Sequence, residues 1–352
     1  MNQRLLLPVL AVIVLIFAWM TLFGGLFTPD NHEVSVALAG DVVMVNNIPT
    51  VLNGSTSAFA GISNVTSAAD LLLFNFDNAV TYSDNAVKKN STFRCEPRFV
   101  DLIRANNNTV VALANGHVCD FGVIGIRDTI SELDEKKIAH LGVGEDENQS
   151  RQNVTQEING RKITIFNYMD SNMFKGFSYD ELPYANGLAP GYAAYDSNIA
   201  QKQISQAKEE GNIVIVHMHF GKEYSKEPND DQKRIAHELV DYGADIVVGS
   251  HPHVAQGIEM YNGRPIFYSL GDCVSDLGLE STQDSYIVQA DFIGDSVECS
   301  IYPIHLNNCI PYFSDPSDGS SLLTSLSPQC GQMQISNGVG KLQFNITNGD
   351  EH

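Results

Sequence analysis

The sequence is short of positive charge. Its 352 residues include 21 Lys and Arg against 42 Asp and Glu, which gives a formal net charge of −21 at pH 7. A surface with this balance repels the phosphates of nucleic acids, so nucleic acid is excluded as a partner. A locally positive pocket remains compatible with it, because a bound metal ion can supply the charge.

Closely spaced cysteines are also missing. No Cys-x-x-Cys pair occurs, which argues against a zinc ribbon. The total of six cysteines is even and suits a compartment that permits disulfides. We predict at least one disulfide among the last three, Cys299, Cys309 and Cys330, because they lie in the loop-rich end of the chain.

What the sequence does contain is one long uncharged run near its start. Residues 5–27, LLLPVLAVIVLIFAWMTLFGGLF, carry no charge. As a helix this run would span roughly 34 Å, which matches a bilayer core, whereas the apolar part of a signal peptide is only about 7–15 residues. We therefore predict a transmembrane anchor over residues 1–27 and a linker over 28–33. Arg4 before the run predicts a single-pass protein of the cell membrane with its bulk extracytoplasmic.

Potential glycosylation sites agree with an extracytoplasmic location. Seven Asn-x-Ser/Thr sequons occur, and such sequons are used only on secreted chains. They predict a glycoprotein and begin at Asn53, Asn64, Asn90, Asn107, Asn148, Asn153 and Asn345.

Strand-like apolar runs alternate with amphipathic helical patterns after the linker. Residues 122–138, 197–211 and 230–243 have helical periodicity, and the last two end in Gly, a common C-terminal cap. This alternation predicts an α/β layered domain over residues 34–310. Residues 284–306 alternate as a hairpin would. The Ser-, Pro- and Gly-rich stretch 314–334 predicts loop, so we expect residues 311–352 to form a loop-rich C-terminal extension.

Several strand-like runs end in polar side chains of similar chemistry. Ligands of open α/β sheets bind beyond the carboxyl ends of the strands, so these side chains are expected to meet at one edge. Carboxylate, amide and imidazole groups without thiolates suit zinc, manganese or iron in a hydrolytic site. The residues concerned are Asp41, Asn75, Asp77, Asn115, His117, Asp120, His219, His251 and His253.

The motifs around these residues have a recognisable order. They read Gly-Asp at 40–41, Asn-Phe-Asp at 75–77, ANGHVCDFG at 114–122, HFGKEY at 219–224, GAD at 243–245, GSHPH at 249–253 and YSLGD at 268–272. In this order and spacing, from about residue 34 to 310, the chain resembles the CapA-type poly-γ-glutamate capsule biosynthesis family. That family is a branch of the calcineurin-like metallophosphoesterase superfamily.

The resemblance implies a fold and a metal centre. The fold would be a layered metallophosphoesterase-like β-sandwich flanked by helices, and the cofactors one or two divalent metal ions (Zn, Mn or Fe). The implied ligands are Asp41 and His253 on the first metal, His219 and His251 on the second, and Asp77 between them. Two such metals would activate water and bind both oxygens of an in-line displacement.

The resemblance also implies catalytic and substrate-binding residues. His117 would be the general acid or the donor to a substrate oxygen. Asp120 is expected to orient His117 or to cap the helix that follows. Asn75, Glu223 and Tyr224 are predicted to bind substrate. For Glu223 and Tyr224 a structural role remains the alternative.

The chain departs from the family pattern at four positions. Asp77 stands where the family has Glu, Ser250 where it has His, and Asp272 where it has Asn. Gly116 replaces the Asn that would bind the second metal, which leaves the preceding Asn115 as the candidate ligand. His217, on the same strand face as His219, is either a replacement ligand or a packed core histidine.

Two functions follow as hypotheses. The first is a membrane-anchored, extracytoplasmic metal-dependent hydrolase or transferase of capsule polymer biosynthesis, acting on a phosphoester or on an anionic γ-glutamyl polymer. The second is a non-catalytic subunit that binds the polymer or scaffolds other subunits of a membrane synthase. Metal content and phosphodiester turnover would distinguish them.

Overall fold

The computed structural model describes residues 33–45, 48–52, 57–174, 184–328 and 330–346. The predicted anchor over residues 1–27 and nearly all of the linker over 28–33 lie outside these residues. Among the helices in the described ranges, none is both long enough and apolar enough to cross a membrane.

The helices and strands of the described residues have the following bounds, and most of the strands belong to two large β-sheets. Seven α-helices are described: α1 Ile48–Val51, α2 Ser63–Thr66, α3 Gly122–Glu135, α4 Glu147–Ser150, α5 Ser197–Glu209, α6 Asp230–Asp241 and α7 Pro316–Leu326. Short 3₁₀ helices cover Ala60–Ile62, Pro97–Ile103, Ser171–Phe174 and Glu280–Thr282. The strands are β1 Glu33–Val42, β2 Leu71–Phe76, β3 Ala79–Val80, β4 Arg94–Cys95, β5 Thr109–Ala112, β6 Ala139–Leu141, β7 Val143–Gly144, β8 Val154–Ile158, β9 Arg161–Met169, β10 Gly191–Tyr192, β11 Ile213–His219, β12 Ile246–Ser250, β13 Ile258–Tyr261, β14 Arg264–Phe267, β15 Asp272–Val274, β16 Asp284–Ile293, β17 Ser296–Asn307, β18 Ile310–Phe313, β19 Gln334–Ser336 and β20 Val339–Asn345.

The first sheet has ten strands in the order β19-β20-β17-β16-β1-β2-β5-β6, with β15 paired to β1 and β18 to β17. Its strands β1, β2, β5 and β6 run parallel to one another. The second sheet has six strands in the order β13-β14-β12-β11-β9-β8, and β9, β11, β12 and β14 are parallel. The predicted hairpin over 284–306 is confirmed as the antiparallel pair β16–β17.

The central parallel strands of both sheets, among them β2, β11 and β12, are buried on two faces, which explains their almost continuous apolar runs. In β1, Val36 belongs to the core between the sheets, and its neighbour Ala37 belongs to the core beneath the helices. In β11, Ile215 and Val216 divide in the same way. The described chain is therefore a mixed α/β structure in which two sheets pack face to face and helices cover their outer faces.

The helices follow the predicted segments closely. Helix α6 begins with a capping box between Asn229 and Gln232. The glycines predicted to end α5 and α6, Gly211 and Gly243, have φ angles of 78° and 115°, which other residues adopt only with strain. These predicted helix ends are confirmed.

The C-terminal part differs from the sequence-based expectation. Residues 311–328 and 330–346 contain helix α7 and strands β19 and β20, and β20 pairs with β17 in the large sheet. Leu323 and Leu326 of α7 are buried in the core between the sheets. The predicted loop-rich extension is therefore wrong for these residues, because tertiary burial of a few leucines outweighs the weak helix propensity of a Ser-rich segment.

The six cysteines, all within the described residues, form no disulfide. Cys299 and Cys330 are buried in the core between the sheets, and Cys309 lies in the turn between β17 and β18. The predicted disulfide among these three is wrong for this structure. Burial raises the pKa values of all three thiols, which keeps them protonated.

Candidate metal centre

The parallel strands of the first sheet bring three predicted or motif residues to one edge. Asp41, near the end of β1, pairs with Asn75 of β2 on one side and with Asp272 of β15 on the other. Asn75 Nδ2 donates a hydrogen bond to Asp41 Oδ1 over 2.7 Å, and Asp41 N donates to Gly271 O over 2.9 Å. Asn75 thus fixes the carboxylate of Asp41, and Gly271 fixes its backbone.

The second sheet delivers the histidines to the same place. His219 ends β11 and lies beside Ser250, which ends β12. His251 follows, and its backbone N–H donates to Asp41 Oδ2 over 3.2 Å. The loop after β12 therefore joins the edges of the two sheets at Asp41.

Asp41, His253 and Asp272 form the tightest cluster. His253 Nδ1 lies 2.9 Å from Asp272 Oδ1 and 3.4 Å from Asp41 Oδ2, and all three side chains are buried. Burial alone would lower the pKa of His253, but the two carboxylates outweigh it and raise that pKa well above its ordinary value. Burial would raise the pKa of Asp41, but His253 and Asn75 lower it. The cluster therefore stabilises a positive charge between its carboxylates.

Asp77 is fully buried next to this cluster and is short of partners. Within the described residues, neither of its carboxylate oxygens meets a hydrogen-bond donor. Burial and then the negative charge of Asp41 raise the pKa of Asp77 well above its ordinary value. Asp272 Oδ2 also lacks a donor. Buried carboxylate oxygens without donors are costly unless a cation binds them, so these residues fit a divalent metal ion.

His219 and His251 form the imidazole side of the site. Their ring centroids lie 4.8 Å apart, and His219 Nδ1 lies 3.1 Å from Ser250 Oγ. Burial and then neighbouring histidines lower the pKa of both rings, that of His251 to about 3. Neutral imidazole is the form that binds metals.

The contacts of His217 favour one of its two predicted roles, the packed core histidine over the replacement ligand. Its Nδ1 accepts a hydrogen bond from Asn167 Nδ2 over 3.1 Å, and Asn167 Oδ1 accepts from Ala114 N over 2.7 Å. Burial lowers the pKa of His217 to about 4. These contacts support the packed core histidine, because Nδ1 is occupied by a side chain that also ties β9 to the segment after β5.

The backbone of the His-Pro-His segment is unusual. His251 and His253 have φ angles of 97° and 60°, both in the left-handed region that non-glycine residues rarely adopt. Pro252 O accepts a hydrogen bond from Tyr224 N over 2.9 Å, and the imidazole centroids lie 6.1 Å apart. Strain of this kind is retained mainly at functional sites, and here it separates two imidazoles that would otherwise follow one strand direction.

His117 lies in a second group with Asp120. His117 Nδ1 is 2.7 Å from Asp120 Oδ2, the pairing that the sequence predicted. Asp120 also accepts from Phe93 N over 2.6 Å and pairs with Lys89 Nζ. The Phe93 ring stacks on the imidazole with centroids 3.8 Å apart. Burial and then the charge of Lys89 lower the pKa of His117 to about 4.

Two predicted residues have structural contacts in place of the expected ones. Asn75 is fully buried and donates to Asp41 Oδ1, so it orients that carboxylate, and its predicted contact with substrate stays a prediction. Asn115 Oδ1 accepts from the backbone N–H groups of His117 and Val118 over 3.1 and 2.8 Å. Asn115 thus shapes the loop that presents His117, and its role as a metal ligand stays a prediction.

A cavity of about 770 Å³ opens over the centre. Glu223 and Tyr224 line it as predicted for substrate contacts, and Gly116 also contributes to its wall. Lys89 and Lys222 are the cationic side chains among the described lining residues. The histidines that line the cavity are His117, His219, His251 and His253.

Sequence reasoning missed Lys89 and undervalued Asp272. Lys89 lies in an irregular segment between β3 and β4, and no local pattern marked it. Asp272 was visible both as the polar end of the apolar run 265–272, the same kind of position that marked Asp41, and as a departure from the family motif, but it was not assigned as a ligand.

Comparison with known proteins identifies relatives over most of the chain. The sequence profile of the family described as "Bacterial capsule synthesis protein PGA_cap" matches residues 35–277. The "PGA biosynthesis protein CapA" of Bacillus subtilis (strain 168) is 35% identical over 298 residues, 82% of this chain and 76% of that protein. The "Capsule biosynthesis protein CapA" of Bacillus anthracis is 30% identical over 298 residues, 81% of this chain and 71% of that protein. Among solved structures, TT1561 of Thermus thermophilus aligns with a TM-score of 0.38 at 12% identity, covering 73% of this chain and 94% of that one.

Proposed function

This chain belongs to the bacterial capsule synthesis protein PGA_cap family, and we propose that it serves capsule polymer biosynthesis as a metal-dependent hydrolase or transferase. The substrate would be a phosphoester or an anionic γ-glutamyl polymer. The supporting observation is the set of buried carboxylate oxygens without donors on Asp77 and Asp272, next to the histidines of the cavity. We propose a metallophosphoesterase-like fold because the order of the motifs resembles that superfamily and because two mixed sheets pack face to face with helices outside them.

The charges of the site support a cation there. Asp41, Asp77 and Asp272 are fully buried around one point, and such a group repels an anionic substrate. Two divalent ions held by Asp41, Asp77, His251 and His253 would reverse that charge, one ion would offset most of it, and either would supply Lewis acidity. An anionic substrate is then compatible with a protein of high negative net charge.

Side chains around the cavity would provide proton exchange, positive charge and contact with the substrate. Because Asp120 holds His117 Nδ1, Nε2 is the nitrogen that can exchange a proton with a substrate oxygen. Stacking on Phe93 fixes the ring plane. Lys89 and Lys222 supply positive charge in the wall of the cavity. Tyr224, about half-exposed, is positioned for apolar contact with the substrate.

We propose that the protein works on the outer side of the cell membrane, anchored by residues 5–27 and assembled with other synthase subunits. The length and lack of charge of that run support the anchor. Mass spectrometry of the native N-terminus tests it, and a chain that starts near Thr28 would contradict it.

The activity test uses the full chain purified without chelator. We expect bound Mn, Fe or Zn by elemental analysis and turnover of bis(p-nitrophenyl) phosphate. His117→Ala should abolish turnover and retain the metal. His305→Ala is the matched control, because His305 is a half-exposed histidine on β17 that pairs with Asp284.

A second candidate is a non-catalytic subunit that binds the polymer. Gly116 in the cavity wall and Ser250 in place of a family histidine favour it, because both positions lack the side chain of the family motif. Binding of poly-γ-glutamate without turnover of any phosphodiester, by a protein that holds metal, would support this candidate against the first.

A further inference from the structure

We propose that Asp272 is itself a metal ligand, which completes an oxygen-rich position with Asp41 and His253 and shifts the selectivity of that position from Zn²⁺ toward Mn²⁺. The inference rests on the metal binding in the proposed function. It concerns a residue at which the chain departs from the family motif, where Asn is the pattern.

The geometry of the three side chains suits one ion. Their candidate ligand atoms lie within 4.8 Å of one another. The distances from His253 Nδ1 to Asp272 Oδ1 and Asp41 Oδ2 are 2.9 and 3.4 Å. Donor atoms that each lie about 2.1 Å from an ion are separated by about 2.9–3.4 Å in octahedral or tetrahedral arrangements.

The carboxylate of Asp272 is held in place and still has free capacity. The backbone is fixed, since Ser285 Oγ donates to Asp272 O and Asp41 pairs with Asp272 across β1 and β15. Asp272 Oδ2 is buried and meets no donor at hydrogen-bonding geometry within the described residues, and burial raises the pKa of this carboxyl against the lowering effect of His253. A rigid acceptor with an unused buried oxygen is what a cation requires.

The chemistry of the donor atoms determines which cation this position favours. Two carboxylates and one imidazole, with Asp77 beside them, offer mostly hard oxygen donors. Such sets suit Mn²⁺ and Mg²⁺, whereas Zn²⁺ favours imidazole and thiolate. Asp272 adds one anionic oxygen that an Asn would not supply.

The experiment measures equilibrium metal binding and does not depend on turnover. The full chain is stripped with chelator, and its dissociation constants for Mn²⁺ and Zn²⁺ are measured by competition with a chromophoric chelator. In Asp272→Asn we expect the Mn²⁺ constant to rise about tenfold more than the Zn²⁺ constant. Asp170→Asn is the control, because Asp170 is a buried carboxylate that lines the cavity but lies outside the cluster. Its ratio of Mn²⁺ to Zn²⁺ dissociation constants should equal that of the parent.

The alternative role for Asp272 is to orient His253 through Nδ1. In that case Zn²⁺, which relies more on imidazole, would weaken at least as much as Mn²⁺, and that result overturns the inference. Unchanged binding of both ions overturns it as well. A parent chain that binds neither ion refutes the proposed function together with this inference. If Asp272→Asn fails to fold, Asp272→Ser provides the same comparison with a smaller side chain.

Discussion

Asp77→Asn is expected to stabilise the protein in the absence of metal and to lose most of that advantage when metal is bound. Asp77 is fully buried, its two carboxylate oxygens meet no donor in the described residues, and its pKa is raised well above the ordinary value by burial and then by Asp41. At neutral pH the metal-free protein either keeps an unpartnered charge or takes up a proton, and both cost free energy. Asn keeps the shape without the charge.

The magnitude follows from the cost of an unsatisfied buried group. In EDTA we expect Asp77→Asn to increase the free energy of unfolding by about 1–3 kcal/mol. At roughly 2.1 cal/mol/K per residue over about 300 residues, that raises Tm by about 2–5 °C. Metal at about 100 times its dissociation constant stabilises the parent by about 2.7 kcal/mol. If the variant binds about 100-fold more weakly, it gains only about 0.4 kcal/mol, so its advantage should fall by about 2 kcal/mol.

The assay is urea or thermal unfolding of parent and variant, each in EDTA and in saturating Mn²⁺. Asp245→Asn is the matched control, because Asp245 is equally buried but is paired with Lys208 at 2.7 Å and accepts from Val214 N at 2.9 Å. It should destabilise the protein in both conditions. If Asp77→Asn is no more stable than the parent in EDTA, or if Mn²⁺ stabilises both equally, the assignment of Asp77 to a metal is refuted.

Three further outcomes are expected. His253→Ala should lower bound metal in elemental analysis and reduce metal-dependent stabilisation by up to about 2.7 kcal/mol, and unchanged metal content would show that the His-Pro-His segment is structural. Gly116→Asn should raise bound metal toward two per chain and increase phosphodiester turnover, since Gly116 lines the cavity and its φ is not positive, so Asn meets no backbone strain. Lys89→Met should lower kcat/KM for a phosphodiester by about 100-fold at unchanged metal content, because Lys89 pairs with Asp120 and supplies positive charge beside His117; loss of metal in this variant would contradict that role.

The sequence was informative where apolar runs end in polar groups. β1 and β11 are buried on both faces, so their apolar residues mark them as strands regardless of register. Asp41 and His219 then follow from position alone. Family resemblance supplied the roles, which no periodicity can give.

The rest depended on contacts between distant segments. Asp272 reaches Asp41 because β15 pairs with β1, and nothing local specifies that register. Lys89 reaches Asp120 from an irregular segment, where side-chain direction has no period to read. Helix α7 forms because Leu323 and Leu326 find a core supplied by other strands. Tertiary structure decided each of these.

Two departures from the family motif, Gly116 and Asp272, concern different metal positions of the proposed site. On the proposed ligand assignment, Gly116 would remove a neutral oxygen donor from the position of His219 and His251, and Asp272 would add an anionic one at the position of Asp41 and His253. Oxygen ligands would then have moved from one proposed metal position toward the other, and the buried negative charge would have grown by one. We therefore expect the native chain to bind a single metal ion tightly. Metal stoichiometry near one, rising only in Gly116→Asn, would connect both substitutions to the same redistribution of ligands.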